Sequence, residues 1–149
     1  MVDAVLRASR VLVSVAARSL AGVDDQVTLP QYRALVVLAG RGPHSAGALA
    51  DALGVHASTM TRMCDRLVAK SLITRRASPS NRREVVLALT ARGRHIVRSV
   101  TERRTREIQT IVAGVPPSER RALVRALQAF GDAAEAPPDS AWLPGWADE

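Results

Sequence analysis

Residues 46–69, AGALADALGVHASTMTRMCDRLVA, carry the pattern that decides the fold. The stretch predicts two helices, one over residues 46–53 that stops at Gly54 and a second over about residues 56–69. In the second helix the apolar side chains recur at i, i+3, i+4, i+7 and i+8, namely at Met60, Met63, Cys64, Leu67 and Val68. Two helices of this size with so short a connection form a helix-turn-helix.

The segment that follows changes from a helical period to a strand-like one. Residues 72–76 and 84–89 have the composition of strands, and Ser78-Pro79-Ser80-Asn81 between them is typical of a turn. The two segments therefore predict a β-hairpin, which makes the motif a winged helix. Two arginine pairs flank the turn: Arg75 with Arg76, and Arg82 with Arg83.

Helices are also expected on both sides of this motif. Residues 3–20 and 118–134 have apolar side chains near helical spacing, and Thr90 can cap a long helix that ends at about residue 112. Thr28 and Gln31 have the spacing of a capping box at the start of one more helix. The expected fold class is mainly α with a small β-hairpin wing (α+β).

We expect one domain over residues 1–149, made of a winged helix-turn-helix lobe, a helical dimerisation region and an acidic tail. The lobe covers residues 30–92, the dimerisation region residues 3–21 with 93–134, and the tail residues 135–149. The apolar faces of the outer helices are large for a small lobe to cover. They therefore predict a second subunit, and a two-fold dimer would bind a pseudo-palindromic site.

Positive charge is concentrated in the middle of the chain. Residues 30–92 hold ten Lys and Arg against three acids, a surplus that equals the net charge of +7, whereas residues 132–149 hold five acids and no base. This distribution predicts a polyanionic partner, most simply nucleic acid, with a solvated basic surface as the alternative. The chain has one Phe, one Tyr and two Trp, too few aromatic side chains for single-strand recognition by stacking.

The helix-turn-helix, the wing and the positive charge together favour double-stranded DNA as the partner. The second helix would present hydroxyl and guanidinium groups to the major groove, where Arg can pair with guanine, and the wing arginines would reach phosphates and the minor groove. The alternative is that the hydroxyls are caps and the arginines are solvated. The candidate DNA-binding residues are Ser45, Ser58, Thr59, Thr61, Arg62, Arg66, Arg75, Arg76, Arg82 and Arg83.

Two stretches resemble the MarR family of bacterial transcription regulators. They are TRMCDRLVAK at residues 61–70 and VVLALTARG at residues 85–93. The resemblance extends over about residues 5–134 and is specific over residues 45–93. It implies an obligate dimeric winged-helix repressor or activator, with the first, fifth and sixth helices at the dimer interface.

Three residues depart from the family pattern. Asn81 stands where the family often has an Asp that braces an arginine of the recognition region, and Ser71 replaces the usual Gly after Lys70. His56 stands near the start of the recognition helix, where the family more often has a small hydroxyl residue. The first departure puts the rigidity of the wing in question, and the second predicts a tight fit at a left-handed turn position.

The resemblance also implies a small aromatic or phenolic anion as effector, bound between the dimerisation helices and the DNA-binding lobe. Tyr32, Arg33 and His44 lie in the region concerned, although Tyr32 also reads as a core aromatic. Cys64 lies on the apolar stripe, and we expect a buried thiol rather than a redox switch. The three His residues are scattered, so neither a metal site nor a cofactor is expected.

Other classes of protein are less consistent with the sequence. No apolar run approaches the length of about 20 residues that spans a bilayer, and a single cysteine cannot form an internal disulfide, so we expect a cytoplasmic location. No Gly-rich phosphate loop or nucleophile–base set is present, so we expect no enzyme. Two alternatives stay open: a winged-helix module that binds another protein, and a non-specific DNA-binding protein.

Overall fold

The computed structural model describes residues 1–23, 26–78 and 85–134. These residues form six helices and one two-stranded antiparallel sheet, which confirms the predicted helical fold with a hairpin wing. The elements in chain order are α1 (Val2–Leu20), α2 (Leu29–Arg41), α3 (Ala46–Leu53), α4 (Ala57–Ala69), β1 (Ile73–Ala77), β2 (Val85–Leu89), α5 (Ala91–Ala113) and α6 (Pro117–Ala133).

The chain divides into two compact units. The winged-helix unit comprises residues 23–99, and the terminal-helix unit comprises residues 1–22 with residues 100–134. The boundary between them falls inside α5. The functional division into a lobe at residues 30–92 and a dimerisation region at residues 3–21 and 93–134 stays a prediction.

Local capping interactions explain where α2 and α3 begin and where α3 ends. The Thr28 hydroxyl and the Gln31 side chain form the predicted capping box at the start of α2. Ser45 caps α3, because its hydroxyl accepts the Ala48 N–H at 3.2 Å. Gly54 ends α3 at φ 65°, a left-handed conformation that glycine adopts at little cost.

The core of the winged-helix unit is formed by α2, α3, α4, the hairpin and the start of α5. Side chains from each of these elements are buried, among them Leu35, Leu38, Leu49, Met60, Leu67, Ile73, Leu87, Ile96 and Val97. The sheet pairs Ile73 with Leu89 at one end and Ala77 with Val85 at the other. His44 extends the sheet, because its backbone exchanges two hydrogen bonds with that of Leu87.

A compact corner joins α4, the hairpin and α5. It consists of Ser71, Leu72, Thr90 and Gly93, and we call it the wing corner. The Thr90 hydroxyl donates to the Ser71 carbonyl at 2.7 Å and accepts the Gly93 N–H at 3.0 Å. The Thr90 N–H donates to the Leu72 carbonyl at 3.1 Å. Ser71 has φ 57°, which confirms the tight left-handed turn expected where the family usually has glycine.

In the terminal-helix unit much apolar surface is exposed. In α1 only Val15 and Ser19 are buried, and in α6 no side chain is. An ion pair between Arg18 and Glu107 joins α1 to α5. The large exposed apolar side chains of this unit are Met1, Val2, Val5, Leu6, Val11, Leu12, Val13, Ile111, Val112, Val124, Leu127 and Phe130. No helix within the described ranges is long and apolar enough to cross a membrane.

Gly93 leaves no room for a side chain, which yields a stability prediction. A Cβ at this position would overlap the Leu72 carbonyl oxygen, a backbone atom that cannot rotate away. We expect Gly93→Ala to lower the free energy of unfolding by about 2 kcal/mol or more, measured by urea denaturation.

Gly47→Ala in α3 is the matched control, in the same unit as Gly93. A Cβ there would meet only the Ser45 hydroxyl oxygen, at 4.0 Å, and alanine favours a helix over glycine by about 1 kcal/mol, so this change should not destabilise. Equal stability of Gly93→Ala and the natural chain would contradict the close approach in the wing corner.

Candidate nucleic-acid interface

The burial of α4 side chains divides the helix into an inner and an outer face. Met60, Cys64 and Leu67 are buried on the inner face. Ser58 and Arg62 are exposed one turn apart on the opposite face. Within the described residues neither of these two side chains has a hydrogen-bond or ion-pair partner, so both are available to a ligand.

The remaining polar side chains of α4 lie on its two flanks. Thr59 and Arg66 are exposed on one flank, and neither side chain forms a hydrogen bond or an ion pair with a described residue. Thr61 and Asp65 are exposed on the other flank, and both have partners. The Thr61 hydroxyl donates to the Ala57 carbonyl of its own helix at 2.9 Å.

Arg75 at the base of the wing forms an ion pair with Asp65. Its Nη2 lies 2.5 Å from Asp65 Oδ1, and both side chains are exposed. Because β-strand side chains alternate in direction, Arg75 lies on the same face of β1 as the buried Ile73, whereas Arg76 lies on the other. Arg76 is exposed and has no ion-pair partner among the described residues. The two members of this arginine pair are therefore in different environments.

Of the three remaining predicted DNA-binding residues, the structure describes only Ser45, which lies just before α3. Ser45 is partly buried, and its hydroxyl oxygen accepts the capping hydrogen bond while its proton stays available to a phosphate. Arg82 and Arg83, and also Asn81, lie outside the described residues. Their assignment to the wing tip stays a prediction.

The buried thiol of Cys64 fits a structural role. Its side chain is fully buried on the inner face of α4, as predicted. Burial raises the pKa of the Cys64 thiol, and the nearby Arg75 guanidinium opposes this rise only in part. A thiol with a raised pKa is largely protonated at neutral pH, and the protonated form is the unreactive one.

The three candidate effector-binding residues have different environments. Tyr32 is buried in the core of the winged-helix unit with 4% of its surface exposed, whereas the adjacent Arg33 is exposed. His44 is partly buried, and its Nδ1 lies 3.0 Å from the Gly42 carbonyl oxygen. Within the described residues no group of three His, Cys, Asp or Glu side chains could hold a metal ion.

Comparison with known proteins agrees with this geometry. A sequence model of the MarR family matches residues 27–85. The crystal structure of RV1404 from Mycobacterium tuberculosis is 52% identical in sequence and superposes with a TM-score of 0.83, over 89% of this chain and 90% of that chain. The chain belongs to the MarR family.

Two further similar proteins support the role of this MarR family chain in transcription. The HTH-type transcriptional regulator YfiV of Bacillus subtilis is 27% identical over 109 residues, which are 73% of this chain and 68% of that protein. BpsR of Bordetella bronchiseptica, whose DNA binding is regulated by 6-hydroxynicotinic acid, is 26% identical with a TM-score of 0.58, over 89% of this chain and 93% of that chain. The protein is therefore a MarR family transcriptional regulator with a winged-helix fold, and so a DNA-binding regulator.

Sequence reasoning did not find the Asp65–Arg75 pair of this MarR family protein. The sequence placed Arg75 among the candidate DNA-binding residues and predicted no partner for it. The sequence did contain a signal for this pair. Asp65 is the one carboxylate on a helix whose other charged residues are arginines, and Arg75 follows ten residues later in a predicted strand.

The environments of Arg75 and Arg76 predict different salt dependences. Each Arg that neutralises a phosphate adds about 0.9 to the slope of log affinity against log salt concentration. We expect Arg76→Gln to reduce that slope by about 0.9 on a mixed-sequence duplex, measured by fluorescence anisotropy. Arg75→Gln is the matched variant, and it should change the slope little because Asp65 already neutralises Arg75. Equal reductions in the two variants would contradict the separation of roles.

Proposed function

We propose that the protein is a sequence-specific transcription regulator, acting as a repressor, that binds a pseudo-palindromic operator as a homodimer and is released by a small-molecule effector. The observation that carries this proposal is the outer face of α4. On this face the unpartnered Ser58 and Arg62 stand opposite a buried apolar stripe, so the helix is anchored on one side and free to read on the other.

The dimensions and chemistry of α4 suit the major groove. The groove admits one α-helix, and the first turns of a recognition helix usually contact the base edges. Ser58 and Arg62 lie in the first two turns of α4. An arginine there can donate two hydrogen bonds to O6 and N7 of guanine, which discriminates against other bases by about 1–3 kcal/mol.

Phosphate contacts would hold the helix in register. At the edges of the proposed interface, Arg66, Arg76 and Ser45 have donors that no described residue occupies, and the Thr59 hydroxyl has no partner within the described ranges. These contacts add affinity but little sequence information. Arg82 and Arg83 complete the proposal, because arginines at a wing tip suit the narrow and strongly negative minor groove.

The terminal-helix unit supports a homodimer. Its exposed apolar side chains lie on α1, the end of α5 and α6, and α6 buries no side chain of its own. Large exposed apolar surfaces are typical of protein–protein contacts. A second copy is the simplest partner, and two-fold symmetry would place two α4 helices in successive major grooves about 10 bp apart.

The effector is the least specified part of the proposal. Its support is the regulation of BpsR by 6-hydroxynicotinic acid, a small aromatic acid. Arg33 is the exposed cation among the three candidates and could pair with such an anion, and His44 is partly accessible. Tyr32 would act only from within the core, so its role would be to support the site.

The test of the proposed function is selection from random duplexes at two salt concentrations, with sequencing of the bound fraction. We expect enrichment of an inverted repeat, and weaker overall binding at the higher salt concentration. In the same selection Arg62→Ala should lose preference at one base pair in each half-site. Binding without an enriched motif would favour a non-specific DNA-binding protein, and no binding at low salt would favour a protein-interaction module.

The dimer interface can be tested at Leu127 in α6. This side chain is 57% exposed, and a charge placed there should oppose association of two apolar faces. We expect Leu127→Asp to be monomeric, or to associate at least tenfold more weakly, in sedimentation equilibrium. The control is Gln128→Asp, which adds the same charge on the polar side of α6. A Leu127→Asp dimer as tight as that of the natural chain would contradict this interface.

A further inference from the structure

Thr61 differs from the neighbouring hydroxyl residues of α4 in one respect. Its hydroxyl donates to the Ala57 carbonyl at 2.9 Å, whereas Ser58 and Thr59 have no hydrogen-bond partner among the described residues. The residue is nevertheless exposed and lies in the second turn of the helix that would enter the major groove. Its contribution to DNA binding therefore depends on which of its groups this internal hydrogen bond leaves free for an external contact.

The internal bond removes Thr61 from the set of phosphate donors. A hydroxyl has one proton, and here that proton is directed at the backbone of the preceding turn. Phosphate oxygens only accept hydrogen bonds, so they would face an oxygen with no proton to donate. Ser58 and Thr59 keep their protons and can donate them to an acceptor on DNA.

The surroundings of Thr61 also disfavour a phosphate. Asp65, one turn further on the same flank, is paired with Arg75, so the nearest described ion pair contributes no net positive charge. The free cations of this surface lie elsewhere, with Arg62 on the outer face and Arg66 on the other flank. Because the hydroxyl is held against the helix backbone, the methyl group is the apolar part of Thr61 that remains for an external contact.

We propose that the methyl group of Thr61 reads the C5-methyl group of a thymine in each operator half-site. Among the four bases only thymine presents a methyl group in the major groove, and threonine methyl groups are suited to contact it. This inference rests on the proposed function, because it assumes that α4 lies in that groove. It makes Thr61 a specificity-determining residue that acts beside Arg62.

The experiment removes one methyl group from each partner in turn. Duplexes with the selected operator sequence are made with each thymine replaced singly by deoxyuridine, which lacks only the C5-methyl group. Affinity for the purified full chain is measured by fluorescence anisotropy. We expect one position per half-site at which the replacement weakens binding about fourfold, the loss that corresponds to one buried methylene-sized group.

Two variants of Thr61 separate the methyl group from the hydroxyl. Thr61→Ser keeps the hydroxyl and removes the methyl group from both subunits, so it should bind about 16-fold more weakly, about fourfold for each half-site, and become insensitive to deoxyuridine at that position. Thr61→Val keeps a methyl group in a similar shape and should retain the sensitivity. Thermal melting of both variants, followed by circular dichroism, checks that α4 is intact.

Three results would overturn the inference. The first is a natural chain that binds every singly substituted duplex as tightly as the thymine duplex. The second is a Thr61→Ser variant that remains as sensitive to deoxyuridine as the natural chain, and the third is a Thr61→Val variant that loses the sensitivity. Failure of the proposed function is distinguishable, because then no inverted repeat would be selected in the first place.

Discussion

The close approach of Gly93 to the Leu72 carbonyl is the constraint on which the geometry of the winged-helix unit depends. It brings the start of α5 against the chain that links α4 to β1. Thr90 forms hydrogen bonds with Ser71 and Leu72 on one side of the wing corner and with Gly93 on the other. These bonds hold the end of α4, the start of β1 and the end of β2 together. Ser71 accepts a left-handed conformation to make this turn, which indicates that the surrounding contacts determine the backbone there.

This corner gives the polar residues of α4 separate tasks. Since the inner face is buried, Ser58 and Arg62 must face outward. The hairpin brings Arg75 beside Asp65, and the resulting ion pair joins α4 to β1. In the proposed function, Arg62 reads a base, and the ion pair of Asp65 with Arg75 lies three residues further along the same helix. A charge count over residues 30–92 alone would treat all of these arginines as equivalent.

The sequence was sufficient for the features that depend on local rules. The helix-turn-helix, the capping box at Thr28 and the buried Cys64 follow from periodicity and capping, and the structure confirms them. The Asp65–Arg75 pair could not be predicted in the same way, because it depends on how β1 packs against α4. The Thr61 hydroxyl bond was also beyond the sequence, since threonine side chains in helices have two accessible rotamers and only coordinates distinguish them.

Base reading by two α4 helices in successive major grooves is the central claim, and guanine N7 tests it most directly. Each guanine of the selected operator is replaced in turn by 7-deazaguanine, which lacks that major-groove acceptor. Affinity is then measured on each substituted duplex. The account predicts a loss of about fivefold or more at one guanine in each half-site, with the two positions related by the symmetry of the inverted repeat. Tight binding to every substituted duplex, or sensitivity in only one half-site, would contradict it.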